Sequence, residues 1–135
     1  MRTVAEMIIA HGGLDRLIEK PIRVPASDPW MRLCLENVGV GPRGLPLISV
    51  AHYYEHAGDL LCDPDMTFEV GPGGEWSPVS IQHATGAYFV AVWRAEDGRT
   101  LVRPALVQDL KSFARVWDRN LGRQGYADRF KKIAC

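Results

Sequence analysis

Residues 45–70 read LPLISVAHYYEHAGDLLCDPDMTFEV, and whether this run coils or extends decides the fold. His52, Glu55 and His56 spell H-x-x-E-H, a pattern that binds zinc only on a helix, where residues four apart share one face and both imidazoles reach one metal. The residues before it, Leu47-Ile48-Ser49-Val50, are largely β-formers, and Ala57-Gly58-Asp59 reads as a turn directly after it. Ile48, Val50, His52 and Tyr54 fall on one face of an extended run, and Leu47, Ser49, Ala51 and Tyr53 on the other. Extended, His52 and His56 stand about 13 Å apart, too far to share a zinc. A third ligand is also missing, because the helix expected over 104–121 offers only Asp109 and Asp118. The run therefore predicts a strand, with no metal ligand and no catalytic residue assigned. A helix here would instead imply a small metal-dependent hydrolase.

Outward from this strand the chain reads as a meander. Leu60–Val70 is the next strand, with Asp63-Pro64 as a bulge or a break because proline cannot donate to a ladder. After the loop at 71–75, Val79–His83 and Ala87–Arg94 form a hairpin around Thr85-Gly86, and the stretch AYFVAV, apolar on both faces, predicts a central strand. Asp97-Gly98 turns the chain back through Thr100–Arg103. Upstream, Met31, Leu33 and Leu35 alternate with Arg32, Cys34 and Glu36 as a half-buried strand. PIRVPASDP, with three prolines in nine residues, reads as an irregular linker. Thr3-Val4-Ala5-Glu6 spells a capping box opening one broken helix, or two short ones, over 3–20. Pro104 opens a helix whose Leu106, Leu110, Phe113, Trp117 and Leu121 share a face, with Gly122 as its terminator. Tyr126, Phe130 and Ile133 mark one last short helix. The expectation is a single α+β domain over 1–135: an antiparallel meander sheet of five or six strands, with an N-terminal helix or helix pair and a long C-terminal helix packed on it.

With 135 residues, 47% of them hydrophobic and 24% charged, the chain is an ordinary globular domain that needs no staples. Nothing approaches 18 consecutive apolar residues, so no membrane span is expected. Glu6 and His11 interrupt the N-terminal apolar patch and no cleavage site follows, so no signal peptide is expected and the location reads as cytoplasmic. The three cysteines, Cys34, Cys62 and Cys135, are odd in number and lack C-x-x-C spacing. Reduced thiols are the simplest reading, with Cys135 exposed at the terminus.

The remaining motifs are weak. Gly39-Val40-Gly41-Pro42-Arg43-Gly44 matches G-x-G-x-x-G, but Leu45-Pro46 and a strand follow instead of the helix that would hold a phosphate. It reads as a glycine-rich β-turn, and no cofactor is expected. Asp63-Pro64-Asp65 with Glu69 lacks the ligand count and glycine of a calcium loop, so it reads as a solvated acidic turn, the alternative being a weak divalent-ion site. Cys34 has no histidine near it in sequence, and no nucleophile set assembles. Tyr53, Tyr54, Trp76, Tyr88 and Trp93 are core or sheet-face residues by default; exposed together, they would centre a protein interface.

Net charge is zero but unevenly spread. Residues 44–93 hold six acids and no lysine or arginine; residues 99–135 hold nine bases against three acids. Either the two regions neutralise each other in the fold, or each meets a partner. Glu55, Asp59, Asp63, Asp65 and Glu69 are the candidate partner-binding residues. Lys111, Arg115 and Arg119 form an i, i+4, i+8 stripe that is either a candidate nucleic-acid contact, interrupted by Asp118, or a solvated helix face.

Residues 44–70 and 106–126 together are similar to a family of small uncharacterised bacterial proteins, carried on plasmids, phages and integrated elements. The shared blocks are His11-Gly12-Gly13, ISVAHYYE at 48–55, DPDMTFE at 63–69, and FARxWDxNL at 113–121. One departure is His56-Ala57-Gly58, where the family pattern implies a Gln/Asn-Gly turn; that pattern lacks the second histidine of H-x-x-E-H. The resemblance assigns no chemistry and implies a mobile-element setting. The expectation is a non-catalytic protein-binding module, of the counter-defence type that blocks a host CRISPR complex or restriction enzyme through an acidic surface. A nucleic-acid-binding accessory protein is the alternative.

Overall fold

The computed structural model describes residues 1–134. The elements run α1 (Arg2–His11), α2 (Leu14–Glu19), β1 (Ile22–Val24), β2 (Arg32–Val40), β3 (Pro46–His56), β4 (Asp59–Val70), β5 (Trp76–Gln82), β6 (Tyr88–Val90), β7 (Val92–Arg94), β8 (Thr100–Val102), α3 (Pro104–Arg123) and α4 (Tyr126–Ala134). Residues 46–56 are extended, as the alternation predicts. Ala57 (φ 52) and Gly58 (φ 86) supply the two left-handed positions of the tight turn into β4.

Strands β1 to β6 form one antiparallel sheet in sequence order, and β7–β8 form a separate ribbon. The fold is α+β with a meander sheet. Ala51 pairs with Asp65 and Tyr53 with Cys62, so Asp63 and Pro64 together oppose the single residue His52, the bulge foreseen at the proline. Leu33, Leu35, Ile48, Val50, Met66, Phe68 and Ile81 share one face. They join Val4, Met7, Leu17, Leu110, Trp117, Leu121 and Tyr126 of the helices in one buried core. Cys34, Glu36, Ser49, Asp65, Thr67 and Gln82 share the opposite face by the same registers and lie outside that core.

Several boundaries differ from the sequence expectation. The proline-rich stretch contains β1, whose Ile22 and Val24 are buried while Arg23 is exposed; prolines at 21 and 25 flank the strand without interrupting its pairing to Leu35 and Leu33. AYFVAV is not central. β6 is the last strand of the sheet, its Tyr88 and Phe89 are exposed, and the chain bends at Ala91 into β7. Apolarity on both faces here marks a corner between sheets rather than a middle strand.

No capping box forms at Thr3–Glu6. Helix α1 starts one residue earlier, with Met1 at its N-cap and no side-chain cap of its own. Asp118 of α3 accepts the Thr3 and Val4 amides instead, and Glu6 takes Lys131 Nζ at 2.6 Å. Gly122 does not end α3. A Cβ there would lie 2.9 Å from Thr3 Oγ1, so this glycine lets α3 approach α1 closely, and Gly125 (φ 77) makes the turn into α4. Cys135 lies outside the described residues.

Candidate functional site

His52 and His56 occupy different worlds. His52 sits in β3 on the helix-covered face, 6% exposed. Its ring packs on Trp117 at 5.4 Å and Tyr126 at 5.5 Å between centroids. Nδ1 donates to the Arg32 carbonyl at 3.2 Å. Burial pushes its pKa down, opposed by that hydrogen bond and by the Asp63 charge. His56 is exposed at the hairpin end. The zincin helix is not formed, and His52 is a core histidine.

The five acidic candidates do not form one patch. Glu55 and Asp59 are exposed at the β3–β4 hairpin, and Asp63 is half-buried in the bulge beside His52. Glu69 is not a surface residue: it is 0% exposed. The glycine-rich loop folds over it, the Arg43 and Leu45 amides donating to Oε2 at 2.9 and 3.3 Å and Arg43 Nη1 to Oε1 at 3.2 Å. A Cβ on Gly41 would come within 2.3 Å of Glu69 Cγ. The loop that resembles a phosphate cradle thus wraps a carboxylate of its own chain.

Asp65 is the acidic candidate that remains in a distinctive setting. It stands half-buried on β4, on the face that carries no helix. Ser49 Oγ donates to its Oδ1 at 2.6 Å. Burial pushes the Asp65 pKa up, Ser49 pulls it down, and Glu36 adds to the rise. Thr67 and Ser80 share a hydroxyl hydrogen bond at 2.5 Å on the adjoining strands. With Val38, Gln82 and Tyr88 these residues line a depression of roughly 410 Å³. Tyr53 stands further along the same face, its hydroxyl pKa pushed to about 12 by burial and by neighbouring Asp65, Cys34, Cys62 and Glu36. Both described cysteines, Cys34 and Cys62, are free, with pKa values raised by burial, which makes them poor nucleophiles.

Ser49, Thr67, Ser80 and Gln82 were not among the sequence candidates, and Tyr88 entered only as an aromatic that would matter if exposed. The available signal was alternation in the partners of the apolar positions. Ser49 lies between Ile48 and Val50, Thr67 between Met66 and Phe68, and Ser80 between Val79 and Ile81. Register across three strands, which a single sequence does not give, turns these isolated polar positions into one row.

Lys111, Arg115 and Arg119 are all exposed on α3. Asp118 does not interrupt their stripe, because it points inward and is 7% exposed. Arg2, Lys111, Arg115 and Asp118 line, with Phe68, Trp76 and Pro78, a depression of roughly 330 Å³. Arg103, just before α3, lies over the Trp93 ring at 4.6 Å.

A family profile, the domain of unknown function DUF6908, matches residues 2–127. The chain belongs to the DUF6908 family. No curated protein and no solved structure matches it. The DUF6908 region includes the whole six-stranded sheet, the ribbon, α1 to α3 and the start of α4. The glycine loop over Glu69, the Asp118 cap and the row around Asp65 are therefore all parts of the DUF6908 domain. Among the described residues, no helix is long and apolar enough to cross a membrane.

Proposed function

We propose that this chain is a non-catalytic binding module that acts by occupying the surface of a protein partner, using the uncovered face of its main sheet. The observation that carries the reading is the composition of that face. Its centre is short and hydrogen-bonding, with Ser49, Thr67 and Ser80 beside a half-buried Asp65. Its rim includes the exposed Val38 and Tyr88. This reverses the usual apolar centre and polar rim, so the face suits a partner that brings a polar anchor into it, with Tyr88 as the aromatic contact beside it. The resemblance to proteins of plasmids, phages and integrated elements supports the finer reading. In it, the chain is a counter-defence inhibitor of the anti-CRISPR or anti-restriction type, and the partner is a host CRISPR effector complex or restriction enzyme. Of the expected acidic residues, Asp65 lies on this face, where Glu36 of β2 joins it, and Glu55 and Asp59 stand at the hairpin.

The test is inhibition of purified CRISPR effector complexes and restriction enzymes, with co-elution at micromolar concentration. Thr67→Arg places a long side chain in the centre of the face and should abolish inhibition, while Arg119→Glu on α3 should leave it intact. Equal activity of the Thr67→Arg variant would remove the uncovered face from the reading.

A second reading, nucleic-acid binding through α3, is favoured by one observation: Asp118 is only 7% exposed, so the exposed outer face of α3 carries Lys111, Arg115 and Arg119, with Arg2 beside Lys111 and Arg115. Gel shifts across salt test it. Phosphate contacts weaken steeply as salt rises, by a logarithmic slope near the number of contacts, and a flat response removes this reading.

A further inference from the structure

We propose that the depression around Asp65 receives an arginine side chain of the partner, its guanidinium seated on the Asp65 carboxylate among the hydroxyls of Ser49, Thr67 and Ser80. This rests on the reading of the uncovered face as the docking surface and specifies what that surface takes up.

The first ground is a missing counter-charge. Asp65 is half-buried, and its one side-chain hydrogen bond is to the neutral Ser49 hydroxyl. Among the described residues, no lysine, arginine or histidine nitrogen lies within 4.0 Å of it. Glu36, opposite Ser49 on β2, adds charge of the same sign. A carboxylate withdrawn from water without a cation is costly, and an incoming cation removes that cost. The chain cannot supply the cation from the strands around the site, because residues 44–93, which contain all of β3 to β6, hold no lysine or arginine. The bases on the neighbouring strands, Arg23 and Arg32, act on Cys34.

The second ground is the lining. Beside the two carboxylate oxygens lie the Thr67–Ser80 hydroxyl pair, which commits one proton between its two oxygens, and the Gln82 side chain. The acceptors there are the carboxylate oxygens, the Gln82 carbonyl and the lone pairs of the hydroxyls, of which Thr67 is the more exposed, Ser49 being 7% and Ser80 2% exposed. A guanidinium offers five N–H donors in a planar fork that fits a carboxylate and neighbouring acceptors, whereas an ammonium offers three donors at a point. The third ground is shape. Ser49 and Ser80 keep the floor low, and Tyr88, 60% exposed, stands at the side where its ring can lie against a guanidinium plane.

The test is a titration of the intact chain, carrying carboxyl-labelled aspartate, with N-acetyl-arginine N-methylamide at constant ionic strength. The lysine and citrulline analogues serve as comparisons. The expected result is a saturable shift of the Asp65 resonance and a fall of its apparent pKa by about half a unit or more. Citrulline should give neither, and lysine a smaller response. Arginine should also move the backbone amide resonances of Ser80 and Gln82, and in Asp65→Asn those movements should be lost. Arginine acting no more strongly than citrulline overturns the proposal, and lysine acting as strongly as arginine overturns the choice of a guanidinium. The two layers separate cleanly. A flat titration alongside a Thr67→Arg variant that fails to inhibit sinks the arginine receptor and leaves the docking face. A positive titration alongside an unimpaired Thr67→Arg variant does the reverse.

Discussion

Asp118 caps a helix 115 positions away. Its two carboxylate oxygens accept the amides of Thr3 and Val4 at 3.1 and 3.2 Å, inside the junction of α1 and α3. Both amides belong to the first turn of α1, which has no intrahelical acceptor for them, and the negative charge also faces the positive end of the helix dipole.

Asp118→Ala should therefore destabilise the fold by about 1–3 kcal/mol, the cost of leaving buried donors without acceptors. Urea unfolding measures it. Glu6→Ala, which would remove a local capping box, should cost distinctly less, because it takes away only the exposed pair with Lys131. The opposite ranking would restore Thr3–Glu6 as the cap.

Gly41→Ala should cost about 1–3 kcal/mol through overpacking, because the added methyl group meets Glu69. Glu69→Ala should itself destabilise, by leaving the Arg43 and Leu45 amides unsatisfied. In that background Gly41→Ala should be nearly neutral, since the atoms it strikes are gone. Additive costs in the double variant would show that the loop does not close on Glu69.

His52 is held neutral by burial, with its pKa below the ordinary 6.5. As pH falls below 6.5 the unfolded chain binds a proton at this position that the folded chain resists. Stability should therefore decline from there down to the folded value. His52→Phe should flatten that part of the pH–stability curve. An unchanged slope would assign the dependence to other groups.

Asp65 has the reverse linkage. Its pKa is raised in the fold, so the folded chain holds the proton more tightly, and ionisation at neutral pH weakens the fold. Asp65→Asn, which retains an acceptor for Ser49, should raise the unfolding midpoint at pH 7, with the advantage shrinking as pH falls. The same variant should lose binding, as expected where a site is kept at the expense of stability. A lower midpoint at pH 7 would make Asp65 a structural residue.

The strands were legible where alternation was clean. Ile48, Val50 and His52 against Ser49, Ala51 and Tyr53 give β3 its faces, and Asp63-Pro64 gives the bulge. Helix α3 was legible from Leu110, Trp117 and Leu121. β1 was hidden because Pro21 and Pro25 dominate a three-residue strand. The edge position of β6 was hidden because apolar residues on both faces look alike in a middle strand and at a corner.

The long-range contacts were the least legible. Thr3 and Glu6 fit a local motif, and nothing in the sequence says that Asp118 takes the amides instead. Glu69 reads as an exposed acid until the 41–45 loop is seen closing over it. The row around Asp65 needs three strand registers at once. The depression is therefore a property of pairing, while each of its residues taken singly is unremarkable.

The Asp118 contact also sets an order of events during synthesis. Helix α1 is translated well before the carboxylate that completes its opening turn, which lies 115 positions on from Thr3, and Lys131 follows later still. A stalled nascent chain exposes the apolar side of α1 with nothing to hold it. Closure of α1 accordingly waits for translation of α3, and a chain stopped before residue 118 lacks the acceptor for that opening turn.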